Sequence, residues 1–256
     1  MGTDPIIETL RAKRLVFTVA TGRCGTAYLA ELFKFLPGVH SDHEPPPEFA
    51  DVMRHVQEHP PLAIQFLMEK KLPAIAAINA PIYVETSHLF CKGFLEPCLD
   101  LGLKPSLVAL SRPPRQVALS MFKMGTIPGR TDKGLRFYLS PEDPGVLPVT
   151  DWKTLTDYQL CYWYCLEIAR RADQYNELFA RRGIPFVRVA LDEITRYSGF
   201  VRVVRGLGLP FPNLRGWLQY LLYHRNRVNE SRETKKAVSI PKNLDQLETD
   251  VRNRVG

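Results

Sequence analysis

Residues 15–20 read LVFTVA and residues 21–26 read TGRCGT. The first six are apolar and rich in β-branched side chains, the pattern of a strand buried on both faces. After Thr26, apolar residues return at Leu29, Leu32, Phe33 and Leu36, the period of a helix, and Pro37-Gly38 ends it. A strand, a glycine loop and a helix in this order make an oxyanion site. Glycines let backbone N–H groups close on an anion. The helix start adds unpaired N–H groups and roughly half a unit of positive charge. Thr21, Gly22, Arg23, Cys24, Gly25, Thr26 and Ala27 are thus the candidate anion-binding residues. Arg23 is the permanent cation, and Thr26 is expected to cap the helix. A plain capped turn is the alternative, but two glycines beside an arginine count against it.

The loop is not that of a standard nucleoside triphosphatase. That motif needs a lysine directly after its last glycine and a hydroxyl on magnesium. Here Thr26 follows Gly25, and no apolar strand ends in a magnesium-binding Asp. The expected ligand is a phosphate or sulfate ester handled without metal.

Beyond the loop, the pattern predicts strands at 39–43, 82–86, 107–111 and 186–190. Helices are expected at 61–70, 92–101, 114–124, 155–182, 193–207 and 214–223, and a long loop at 128–148. Strands alternating with helices predict an α/β fold of three layers: a central, mostly parallel sheet flanked by helices, P-loop-like in its first unit. With no linker or internal repeat, 1–256 is expected to be a single domain, with 1–14 a polar lead-in.

Composition sets looser bounds. The net charge is +7, which favours anionic partners without choosing among nucleic acid, membrane surface and phosphorylated small molecules. The basic residues form no nucleic-acid recognition module, so no nucleic-acid partner is expected. The five cysteines lack zinc-ligand spacing. His40, His43, His55 and His59 fit no helix face with a carboxylate, so no metal site is assigned. No apolar run reaches membrane-spanning length, about 18 residues. With no signal core at the start and unpaired thiols, a cytoplasmic location is expected.

A second anchor lies at the 107–111 strand, where Ser111-Arg112-Pro113-Pro114 opens a helix and Ser120 follows two turns later. The two anchors together resemble the sulfotransferases that use 3′-phosphoadenosine 5′-phosphosulfate (PAPS), and the bacterial-type members in particular. TGRCGT looks like that family's 5′-phosphosulfate loop, with Arg23 where cytosolic members prefer Lys and Cys24 where Ser is common. Arg112 and Ser120 match its 3′-phosphate motif, His43-Glu44-Pro45 is similar to a segment frequent in bacterial members, and residues 83–89 (YVETSHL) occupy the place of the third active-site strand. The resemblance covers about 15–209 and weakens beyond. Lys235 or Arg232 would supply the remaining phosphate contacts.

The resemblance implies in-line sulfuryl transfer from PAPS, leaving adenosine 3′,5′-bisphosphate, to a hydroxyl or amine of a small-molecule, lipid or glycan acceptor. Arg23 would meet charge developing on the leaving oxygen. Two residues compete as general base: Glu44, at the family's carboxylate position, and His88, in a segment similar to the Thr-His-Leu of cytosolic members. Glu44 is the first choice. Glu85 has no catalytic role and is expected to hold loop backbone or a lysine. Residues 43–61 and 128–148 are expected to shape the acceptor pocket. A non-catalytic nucleotide-binding module and a metal-independent phosphotransferase are the competing readings. Oligomeric state and acceptor are not legible.

Overall fold

The computed structural model describes residues 4–225 and 239–255, and the side chains of 4–223 and 239–255. The 229–236 segment, with Lys235 and Arg232, therefore lies outside the described residues.

Five parallel strands form one sheet: β1 (Arg14–Val19), β2 (Val39–Asp42), β3 (Ile82–Glu85), β4 (Ser106–Ser111) and β5 (Phe186–Ala190), in the order β2-β3-β1-β4-β5. The sheet is parallel throughout. Residues 15–19 of β1 are all buried, so both faces are covered, as parallel sheets require. In register, Leu15 pairs with Tyr83 and Phe17 with Glu85 on one side, and Phe17 with Leu107 on the other.

The connecting helices are α1 (Pro5–Arg11), α2 (Thr26–Phe33), α3 (Met53–Glu58), α4 (Pro61–Phe66), α5 (Leu72–Ala77), α6 (Leu95–Asp100), α7 (Pro114–Met124), α8 (Asp132–Phe137), α9 (Asp157–Arg182), α10 (Leu191–Ile194), α11 (Tyr197–Gly206), α12 (Leu214–Arg225) and α13 (Leu244–Arg254). The 26-residue α9 begins on a capping box of Thr156 and Gln159 and ends at left-handed Gly183. Its Trp163 donates an indole N–H to the Leu147 carbonyl, 3.0 Å away, and its buried Glu167 accepts the Leu147 N–H at 2.8 Å. The end of the 128–148 segment is thereby fixed to the longest helix.

The structure corrects several boundaries. Residues 1–14 are not merely a polar lead-in: Asp4 caps α1, which buries Ile7 and Leu10, and Arg14 opens β1. The expected 61–70 helix continues through a wider π turn, Leu67–Lys71, into α5. That turn rotates Lys71 into the interior, where it is 1% exposed. The 92–101 helix starts only at Leu95, and Pro97 sits in its first turn, where no hydrogen bond is lost. The 128–148 segment is not all loop, since Thr131 accepts from Gly134 N–H and caps α8. The 193–207 helix is two, α10 and α11, broken at Thr195-Arg196. α13 was not foreseen. It docks through the Arg115–Glu248 ion pair and the Tyr158 hydroxyl donating to Glu248 at 2.6 Å.

Candidate functional site

The loop after β1 is built from left-handed backbone. Gly22 has φ 77°, Arg23 φ 57° and Gly25 φ 92°. Arg23 is the only one of the three that is not glycine, and a side chain held there costs on the order of 1–3 kcal/mol. Both glycines also have steric reasons. A Cβ on Gly25 would stand 2.6 Å from Leu191 Cδ1, and one on Gly22 would stand 3.3 Å from the His88 ring. Gly25, not Thr26, occupies the helix cap, and it makes no side-chain capping bond. Thr26 is the first helical residue, and its carbonyl accepts from Thr86 Oγ1 at 2.9 Å. The cap expected of Thr26 is thus replaced by a glycine that leaves the helix N–H groups unscreened by a side chain.

Cys24 faces inward. It is 1% exposed, its Sγ lies 2.7 Å from Thr21 Oγ1, and burial pushes its thiol above the ordinary range. Only its backbone can face an anion.

The two anchors meet. Arg23 Nε donates to Ser120 Oγ at 3.3 Å, and Arg112 Nη1 donates to the Arg23 carbonyl at 3.3 Å. Arg112 is steadied by its own helix, donating from Nε to Gln116 at 3.0 Å. Residues 97 positions apart in the chain (Arg23 and Ser120) therefore form one cationic rim. Neighbouring Arg115 is not part of it, because its guanidinium is committed to Glu248 and Asp245 of α13.

The two competing bases are also brought together. Glu44 follows β2 in a left-handed conformation, φ 50°. Two donors converge on its Oε1, the His88 backbone N–H at 3.3 Å and Ser87 Oγ at 3.4 Å, and His88 Nε2 lies 3.6 Å from the same oxygen. Among the described residues none donates to Oε2. His88 is buried, and burial, reinforced by the charges of Lys92, His43 and Arg23, holds its ring well below the ordinary value of 6.5. The imidazole is therefore neutral. His43 Nδ1 donates to the Thr86 carbonyl at 2.8 Å, which ties the start of the Glu44 loop to the end of β3.

Two buried lysines that the sequence reading did not place in the site support this cluster. Lys71 pairs with Glu85 at 2.9 Å and donates to the Pro45 and Pro47 carbonyls at 3.0 and 2.9 Å. Glu85 thus does hold a lysine, which in turn grips the Glu44 loop from behind. Tyr83 completes the pair, donating to Glu85 at 2.7 Å. Lys92 lies on the opposite side, 2.7 Å from His88 Nδ1 and 2.5 Å from the Phe137 carbonyl. Its only sequence signal is a single cation inside the apolar run 89–95.

The two segments expected to shape an acceptor pocket also touch. Arg54 of α3 binds both carboxylate oxygens of Asp143, at 2.6 and 2.7 Å. A separate open cleft of about 650 Å³, lined by Val56, Pro60, Ile64, Glu96, Arg170 and Tyr175 among others, includes none of the anchor residues. Among the described residues no group of three His, Cys, Asp or Glu side chains could hold a metal ion. No described helix is long and apolar enough to cross a membrane.

No protein-family model matches the sequence, and no curated protein matches it. Solved structures do align. The sulfotransferase domain from the Synechococcus PCC 7002 olefin synthase superposes with a TM-score of 0.52 at 13% identity, over 94% of this chain and 94% of that domain. The sulfotransferase domain from the curacin biosynthetic pathway aligns over 80% of this chain and 77% of its own (TM-score 0.48, 13% identity). Mouse sulfotransferase SULT7A1 complexed with PAP aligns over 95% and 80% (TM-score 0.48, 13% identity). The likeness to the olefin synthase domain shows that the chain has the α/β sulfotransferase fold.

Proposed function

We propose that the protein is a sulfotransferase that moves a sulfuryl group from PAPS to a hydroxyl or amine of a small-molecule, lipid or glycan acceptor. One observation carries the reading. The glycine loop, Arg112 and Ser120 form one cationic rim, and Glu44 and His88 stand beside its Gly22. The pairing of an anion cradle with a carboxylate is what transfer between a phosphosulfate donor and a neutral nucleophile requires.

The donor would supply an activated sulfuryl group on a phosphate leaving group. The left-handed loop residues turn N–H groups towards such a phosphate, and Arg23 adds charge where the leaving oxygen becomes negative. Arg112 and Ser120 would hold the 3′-phosphate, and positioning of this kind is where most of the rate should come from. Glu44 would take the acceptor's proton through Oε2, the oxygen left open. Residues 43–61 and 128–148, latched by Arg54 and Asp143, would hold the acceptor. The five free, buried cysteines fit a reducing compartment such as the cytoplasm, and 1–256 is read as one domain.

The decisive experiment is a labelled-donor assay across small-molecule and glycan acceptors, paired with adenosine 3′,5′-bisphosphate binding in the absence of magnesium. Glu44→Gln should cut transfer by roughly 10²–10⁴-fold while nucleotide binding is retained. Nucleotide binding with no transfer to any acceptor would support a binding module instead. A phosphoryl rather than sulfuryl product would support a phosphotransferase.

A further inference from the structure

We propose that Lys92 is a positioning residue: it holds His88 with Nδ1 as hydrogen-bond acceptor, so that Nε2–H points at Glu44 and the carboxylate alone can take a proton from the acceptor. The catalytic half of this statement rests on the function proposed above. The hold on the ring does not.

Lys92 is fully buried and its Nζ lies 2.7 Å from His88 Nδ1 and 2.5 Å from the Phe137 carbonyl, to which it donates. The rings of Tyr138 and Tyr164 lie 5.2 and 5.1 Å away and receive the remaining N–H. An ammonium has three donors and no lone pair, so this site fits its charged form completely. Nδ1 must then carry the lone pair and Nε2 the proton. The opposite tautomer would aim an Nε2 lone pair at Glu44 Oε1, 3.6 Å away, placing two acceptors face to face. Lys92 thereby settles which of the two competing groups is the base. His88 then faces Glu44 Oε1 with Nε2–H at 3.6 Å, beside the bonds from its own backbone N–H and Ser87 Oγ, and the pair no longer competes.

The charged surroundings are consistent with this division. Burial lowers Lys92 to about 7, with Arg171 and Arg54 acting in the same direction and Cys91 and Glu44 opposing. His88 is held neutral by burial, then by Lys92, His43 and Arg23. A ring that does not charge has only its tautomer to choose, and the tautomer is set by the bond at the other nitrogen. A neutral amine has a lone pair and can accept from Nδ1–H instead, so the hold on the ring belongs to the ammonium form, and the tautomer is to be read at pH 6 as well as at pH 7.

The test reads the ring directly. Full-length protein with ¹⁵N-histidine, examined by long-range ¹H–¹⁵N correlation at pH 6 and pH 7, should show the Nε2–H tautomer at the ring whose signal disappears in His88→Gln. In Lys92→Met that ring should shift to the Nδ1–H form or a mixture, and adenosine 3′,5′-bisphosphate affinity should stay within about twofold. The kcat for sulfate transfer should fall at least about tenfold, with the donor KM little changed. An Nδ1–H ring in the wild type, or an unchanged Nε2–H ring in Lys92→Met, would overturn the proposal. The wild-type spectrum decides even if that variant does not fold. A tautomer shift with no sulfate transfer in the wild type would uphold the hold on the ring and overturn the function.

Discussion

Lys71 and Lys92 are both buried beside the Glu44 loop, yet they are opposites in chemistry. Lys71 faces a carboxylate, Glu85, and two proline carbonyls. Lys92 faces an imidazole, a carbonyl and two aromatic rings, and among the described residues no carboxylate is in direct contact with it. The first arrangement balances charge within itself and acts as a strut. The second leaves a cation whose burial lowers it to about 7. Of two cations buried under one loop, the one with a counter-ion serves shape, and the one without serves the ring it touches.

Removing the strut should have the largest effect on stability. Lys71→Met leaves Glu85 buried and uncompensated, and stability should fall by about 3–5 kcal/mol in chemical denaturation. Burial already pushes Glu85 above the ordinary carboxylate range, with Lys71 opposing, so the orphaned acid should take up a proton. A double variant, Lys71→Met with Glu85→Leu, should recover much of the loss. If the single variant melted like the wild type, the contrast between the two lysines would fail.

Lys92→Met should behave in the opposite way. No carboxylate is stranded, so melting at neutral pH should be little lower or higher than wild type. The sign of the pH dependence sharpens the difference. Lys92 falls from 10.5 to about 7 on folding. Between those values the unfolded chain binds the extra proton, so the wild type should gain stability as pH rises through this window. The variant should lack that contribution, which melting curves at pH 7 and 9 would show. His88 adds a second limb: held well below 6.5 in the fold, it should cost stability as pH falls below 6.5, and His88→Gln should flatten that limb. The smallest effect is expected on the rim. Ser120→Ala removes one neutral hydroxyl and should weaken adenosine 3′,5′-bisphosphate binding by roughly tenfold or less, about 1 kcal/mol, in calorimetry.

Much of this was legible in the chain, for a local reason. A buried parallel strand writes itself as an unbroken apolar run, so β1, β4 and β5 stood out, and the glycines after β1 announced left-handed backbone. Arg112, Ser120, Glu44 and His88 were legible as residues but not as neighbours, because contact across the sheet depends on strand order. Lys71 was hidden by the π turn, which changes the helix face without changing the hydrophobic pattern. Lys92 was read as the start of a helix. Burial of one long cation is decided by tertiary packing, here Phe137, Tyr138 and Tyr164, and leaves little local trace. α1 and α8 are seven and six residues long, too short for a helical period to show in the sequence.

The strand order has one further consequence. β1 lies at the middle, with β3 and β2 on one flank and β4 and β5 on the other. Glu44 and His88 come from the β2–β3 flank, and Arg112 and Ser120 come from the β4 flank. In the proposed reading, what is given and what receives it are inherited through separate halves of the sheet, which meet where Gly22 approaches the His88 ring. Drift on the first flank can then change the recipient while the donor's grip stays as it was, so a lineage can explore new acceptors without relearning how to hold the sulfate.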